Sequence, residues 1–384
     1  MVNTRVNQIY HKIHSAEDAL GNAKSMDEKV ALGNYIGNLY NSVGRVLGND
    51  IEADMLKVFK SSKQYKKFIK RLDFYEFEML DHFIIKKKVH NAFIGDCMFD
   101  TGDSLEALGE RERTVTTVLS DKDFYDIFWQ FMRSLHLEQL FEKYVKEGKI
   151  YNTHFDEVRN NVLGYTVFNP MEIDTDIFIG DFHNDIDSMF TLAHEFGHVY
   201  DFNEFQGDIK DYNQYFYQSF YGEVFSRAFE KLFLDYLIQN NILLEEAKDK
   251  LFETSNINYE FLLGAYMLTL IPDDYLKYGH YEGIDKESFV QLVKYDFEDE
   301  DVIRNYIMDS TYFSVSEDLT YSYGSILSFF VKNAIDEGGF KHPFIREFLK
   351  IRTNMFQESF LEKENITPAE YIKYHDEGIK ILKK

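Results

Sequence analysis

Cysteine, proline and tryptophan are nearly missing from this chain, with one Cys, four Pro and one Trp among 384 residues. The single thiol, Cys97, can close no disulfide within the chain. That excludes a disulfide-stapled scaffold and suits a reducing compartment. Four prolines and 21 glycines are too little turn punctuation for a large all-β protein. Positive charge is also short: 42 Lys and Arg stand against 66 Asp and Glu, a formal net charge of −24. An acidic surface repels phosphate backbones, so no nucleic-acid partner is expected. The longest apolar stretch, FLLGAYMLTLI at 261–271, falls well short of the ~20 residues that span a bilayer. No membrane partner is expected. The opening segment MVNTRVNQIYHKIHSAEDAL holds no long apolar core, so no secretory leader is expected either. The expected location is cytoplasmic.

Rings are what the chain has in quantity. It carries 36 Phe and 27 Tyr, and 45% of its residues are apolar. A chain of this size can bury a sizeable core, built here largely from aromatic side chains. Residues 5–150 read as successive amphipathic helices. Between 50 and 85, Ile51, Met55, Val58, Phe59, Phe68, Ile69, Leu72, Tyr75 and Met79 recur at three- and four-residue steps. Glycine-containing polar breaks near 44–50, 95–110 and 147–150 are expected to separate these helices. The basic run KQYKKFIKR at 63–71 reads as a solvated helix face. From about 158 to 184 the character changes. NVLGYTVFNP and TDIFIGDF are short, rich in β-branched and aromatic residues, and bounded by turn formers. They predict a small sheet with a hairpin around Asn169-Pro170. Helix returns at about 187 and runs to the end. The expected fold is mainly α and two-lobed, with a helical lobe over 1–150 and a second lobe over 151–384.

One segment carries chemistry. TLAHEFGHVYDF at 191–202 contains His194-Glu195-Phe196-Gly197-His198, an HExxH pattern. Its surroundings are helical, with Asp187 as the candidate N-cap. Positions four apart lie one turn above each other, so His194 and His198 can aim two imidazoles at one ion. Glu195 lies about 100° round the helix from His194, where a general base can touch a bound water without ligating. Gly197 costs about 1 kcal/mol inside a helix, which points to a close approach there. A catalytic zinc needs a third protein ligand and an open position. The stretch QSFYGEVFSRAFEKLFLDYLIQ at 218–239 has a strong 3.6-residue apolar stripe. Glu223 lies off that stripe, on a polar face with Ser226, Arg227 and Glu230, and is the candidate third ligand.

These residues resemble the thimet oligopeptidase and oligoendopeptidase F family of zinc metallopeptidases. The family's T-L-A-H-E-x-G-H pattern has its counterpart at Thr191–His198. The E-x-x-S-x-x-x-E pattern of a later helix has its counterpart at Glu223–Glu230. The resemblance implies one Zn2+ per chain held by His194, His198 and Glu223, with Glu195 as catalytic base. It implies that Glu230 holds a ligand histidine from behind. It implies a small β-sheet beside the HExxH helix, a central substrate cleft, and a peptide lying along a strand near 164–182. The family's oxyanion-stabilising tyrosines are similar to Tyr321, Tyr323 and Tyr312 in STYFSVSEDLTYSYGSILSFF at 310–330. The histidine that the family places shortly before those tyrosines has no counterpart between 281 and 341. The chain is also shorter than most members, which implies a more open channel. The implied activity is endopeptidase cleavage of peptides or oligopeptides. Two other readings stay open: a carboxypeptidase-type zinc peptidase on a similar helical fold, and a non-catalytic peptide-binding relative.

Overall fold

A computed structural model describes residues 85–109, 111, 116–153, 163–169, 174–180, 182–204, 221–270, 312–351, 361 and 364–382. All of them belong to one compact unit, Phe74–Phe155 with Val162–Lys384. The basic run at 63–71 and the helices expected before 85 lie outside the described residues. So does the proposed division into lobes as far as it concerns residues 1–84.

The described chain is mainly helical with one small sheet. Helix α1 covers 85–106. It is followed by α2 (Asp121–Ser134), α3 (Glu138–Glu147), β1 (Ile150–Thr153), β2 (Gly164–Asn169) and β3 (Asp174–Gly180). Then come α4 (Ile186–Glu204), α5 (Gly222–Gln239), α6 (Leu244–Leu270), α7 (Tyr312–Gly338), α8 (Pro343–Ile351) and α9 (Pro368–Leu382). Local chemistry sets several of the ends. Ser120 caps α2 by accepting the Asp123 amide at 3.2 Å, with Asp121 and Asp123 in the first turn. Gly148 ends α3 in the left-handed region at φ 65°, where glycine carries no Cβ penalty. This is the break expected near 147–150.

The break expected near 95–110 falls at the end of that range: α1 runs through both Gly95 and Gly102 and stops at 106, with Gly109 in the left-handed region at φ 70°. Gly95 and Gly102 mark close packing on α6. A Cβ on Gly95 would stand 3.0 Å from the Tyr266 ring, and one on Gly102 would stand 3.0 Å from the Tyr259 ring. Tertiary contact therefore overrides their low helix propensity.

The sheet has the order β1-β3-β2, with β1 parallel and β2 antiparallel to β3. The β2–β3 pair is the expected hairpin; Asn169 pairs with Asp174 at its closed end. β1 lies upstream of the expected sheet region. Its four residues, Ile-Tyr-Asn-Thr, are too few for a period-2 pattern to emerge.

The core is built from rings. Phe128, Phe131, Phe196 and Phe233 are fully buried, and Phe141 almost so. Phe128 stands 5.7 Å from Phe196 and 6.0 Å from Phe233, centroid to centroid, and Phe141 stands 5.7 Å from Phe196. Each such ring contributes about 1.5–3 kcal/mol by burial. This cluster joins α2, α3, α4 and α5. Phe196 lies within the HExxH segment, so the core grips the motif from its apolar side. The polar side faces α5 and β2.

Candidate functional site

The cap of helix α4 lies two residues before the expected one. Asp185 accepts the Ser188 amide at 2.8 Å, and the His183 amide donates to Ser188 Oγ at 3.0 Å. Asp185 is therefore the N-cap. Asp187 lies in the first turn and pairs with Lys250 of α6 at 2.8 Å.

Helix α5 lies directly against α4, and Gly197 makes this possible. A Cβ on Gly197 would stand 2.6 Å from the Phe225 carbonyl oxygen and would also overlap the Ser226 backbone. A Cβ on Gly324 of α7 would come within 2.7 Å of Glu223 Cβ. Bare glycines of two neighbouring helices thus meet α5 within the turn that runs from Glu223 to Ser226. Replacing Gly197 by Ala sets side chain against backbone, which does not yield as a flexible side chain does. The expected cost is about 3 kcal/mol or more, read as a lowered thermal midpoint. An unchanged midpoint would refute this account of the α4–α5 contact.

The candidate ligands converge. His194 Nε2 and His198 Nε2 are 3.1 Å apart. Glu223 Oε2 is 3.4 Å from His194 Nε2, and Glu223 Oε1 is 3.7 Å from His198 Nε2. Zinc–nitrogen and zinc–oxygen bonds of 2.0–2.2 Å at tetrahedral angles would set neighbouring ligand atoms about 3.3–3.5 Å apart. The observed spacing therefore fits one small divalent ion without rearrangement of the helices. No other group of three His, Cys, Asp or Glu among the described residues converges in this way.

The groups behind the triangle fix its orientation. Glu230 Oε1 accepts a hydrogen bond from His194 Nδ1 at 2.7 Å, which leaves Nε2 facing the other two donors. Arg227 donates to Glu230 Oε2 at 3.2 Å. Burial would raise the Glu230 pKa, but Arg227 and His194 outweigh it and hold the carboxyl down to about 2. Ser226 Oγ donates to Glu223 Oε2 at 2.9 Å. Burial alone would raise the Glu223 pKa too, yet His198, His194, Arg227 and Ser226 bring it below the usual value. Both carboxylates are therefore ionised when the site is assembled.

Glu195 is buried, at 2% exposure, on the side of α4 that meets the sheet. Its Oε2 accepts a hydrogen bond from Thr166 Oγ1 of β2 at 2.7 Å. The tyrosines of α7 divide. The Tyr321 ring stacks on Phe261 at 4.6 Å, and the Arg227 guanidinium lies 5.5 Å from the Tyr321 centroid. Tyr321 is three residues before Gly324, so both lie on the face of α7 that meets α5. Tyr323 is fully buried, and its hydroxyl bonds His90 Nδ1 of α1 at 2.5 Å. Tyr312 opens α7, but its side chain lies outside the described residues.

His194, His198, Glu223 and Glu230 are thus brought together, with Glu195 at their flank. Sequence reasoning missed Thr166, the stacking of Arg227, His90 and Gly324. Only Gly324 left a signal, as a lone glycine inside an apolar helical pattern. The other contacts join segments far apart in the chain.

The chain is therefore a mainly helical protein with a small sheet and an HExxH-based candidate metal centre. No family model matches it, and no curated protein matches it in sequence. Three solved structures are similar to it in fold. One protein, described as an oligoendopeptidase F, has 13% identity and a TM-score of 0.49 over 91% of this chain and 68% of its own. Pz peptidase A, solved with an inhibitor, has 10% identity and a TM-score of 0.49 over 92% of this chain and 68% of its own. An oligoendopeptidase F described from Bacillus anthracis str. Ames has 12% identity and a TM-score of 0.44 over 94% of this chain and 67% of its own. At these identities and scores, function has to be read from the site itself.

Proposed function

We propose that this protein is a zinc-dependent endopeptidase acting on peptides or oligopeptides. The observation that carries the reading is the convergence of His194, His198 and Glu223 beside a buried carboxylate that is not part of the triangle. His194, His198 and Glu223 would hold the ion, and Glu230 would keep His194 in the ligating tautomer. When bound, zinc lowers the pKa of a coordinated water towards 7 and polarises the substrate carbonyl.

The remaining steps belong to the protein. Glu195 takes the proton of the attacking water and later delivers it to the leaving amine. Tyr321 is the tyrosine tied to the centre through Arg227 and Glu230, and we assign it first to oxyanion stabilisation. Tyr323 spends its hydroxyl on His90. Among the described residues, β2 pairs only with β3, and its outer edge would receive an extended peptide as an added strand. No helix among the described residues is long and apolar enough to cross a membrane. With the lone Cys97 buried and unpaired as a disulfide, we place the protein in the cytoplasm.

The test is metal content by elemental analysis together with cleavage of an internally quenched peptide blocked at both ends. One zinc per chain with internal cleavage is the expected result. Zinc without cleavage of the blocked peptide would overturn the endopeptidase reading. Cleavage of a free-ended version alone would move the assignment to an exopeptidase.

A further inference from the structure

The buried base has one described hydrogen-bond donor, and that donor belongs to the sheet. We propose that Thr166 is a positioning residue that holds the Glu195 carboxylate in the orientation needed for proton transfer. This rests on the reading of Glu195 as the base.

Both ends of the contact are fixed. On the helix side, Glu195 lies between His194, which is tied to Glu230, and Phe196, which is fully buried in the ring cluster. On the strand side, Thr166 pairs with Ile177 of β3, itself fully buried. Threonine is β-branched and stiff at χ1, so its hydroxyl stays where the strand puts it. The carboxylate is the one free element, because its terminal torsion is broad. The 2.7 Å bond from Thr166 Oγ1 to Oε2 removes that freedom. It is also a bond to a charged acceptor, and so of the stronger kind. The hydroxyl has one proton to give. The Glu195 carbonyl oxygen, at 3.3 Å, is the more distant acceptor. With Oε2 engaged, Oε1 is the oxygen presented for proton transfer.

The contact also links two tasks. Thr166 lies on β2, the strand proposed to receive the peptide. Base orientation and substrate docking would then share one rigid segment.

The test compares full-length Thr166→Val and Thr166→Ser with the wild type and with Glu195→Gln. Zinc-loaded proteins are assayed on the quenched, end-blocked peptide. Zinc content is measured for each. Infrared difference spectra are taken on the metal-free proteins, with the band lost in Glu195→Gln marking the Glu195 carboxylate. The expected result for Thr166→Val is a kcat lowered about tenfold to a hundredfold, with KM and zinc content held. Thr166→Ser should recover most of the rate. The carboxylate band should shift in Thr166→Val and stay in place in Thr166→Ser. A wild-type kcat in Thr166→Val would overturn the proposal, as would an equal loss in both variants, which marks a merely structural tie. If the wild type itself shows no turnover, the peptidase reading fails, and the infrared arm still decides the contact: an unmoved band overturns it.

Discussion

Glu195→Gln is expected to lower kcat about 10²- to 10⁴-fold, the usual worth of a positioned general base. Zinc content should stay at the wild-type level. The amide keeps the shape of the carboxylate, and its oxygen can still accept from Thr166, so the fold has no reason to change. What it cannot do is take a proton. Glu195 also lies outside the ligand triangle, so its loss removes no donor to the metal. Quenched-peptide kinetics and elemental analysis on the same preparations check both halves. Turnover close to wild type would remove Glu195 from the mechanism. Loss of zinc with loss of turnover would instead make its role structural.

The second large effect concerns pH. Burial pulls the His194 pKa down, but the hydrogen bond to Glu230 and the charges of Glu223, Glu230 and Glu195 outweigh it, leaving His194 at about 9 in the metal-free protein. A proton and a metal ion compete for the same nitrogen. Zinc affinity is therefore expected to rise by up to about tenfold per pH unit and to level off near pH 9. Stability of the metal-free protein follows the opposite course. The raised pKa means that protonated His194 stabilises the fold below its ordinary value of 6.5, and that contribution fades as pH climbs through about 9. Glu230→Gln should weaken zinc binding about 10- to 100-fold at the alkaline end, since the histidine loses its carboxylate partner. The gap should narrow toward pH 6, because the competing proton is also held less tightly. Chelator-competition titrations between pH 6 and pH 9 measure both curves. Parallel curves for the two proteins would show that Glu230 does not set the protonation of His194.

The site was legible where its geometry is local. Two histidines four apart need only a helix to meet, and the apolar stripe of α5 shows which way Glu223 faces. The ring-built core was legible from composition because Phe and Tyr, 36 and 27 in number, are a large share of the apolar residues. The failures are tertiary or too short. Gly95 and Gly102 look like helix breakers until Tyr266 and Tyr259 are seen filling the space beside them. Asp185 and Asp187 both suit a cap, and only the backbone settles which one accepts the amide. β1 has four residues. Thr166 and Glu195 are 29 residues apart, on a strand and a helix, and no periodicity connects them. The pairing of His90 with Tyr323 spans 233 residues and is equally silent in the sequence.

The two glycines packed against α5 bear on how substitutions in this protein should be interpreted. A saturation scan scored by activity alone would rank Gly197 and Gly324 beside the metal ligands, although neither has a side chain to offer the reaction. Their intolerance would come from thickness: at both places a helix is as close as backbone permits. Read against protein abundance, the two groups should separate. Ligand variants would remain folded and inactive, while glycine variants would be depleted. The boundary between chemistry and architecture in this centre would then fall between side chains that act and positions that must stay bare.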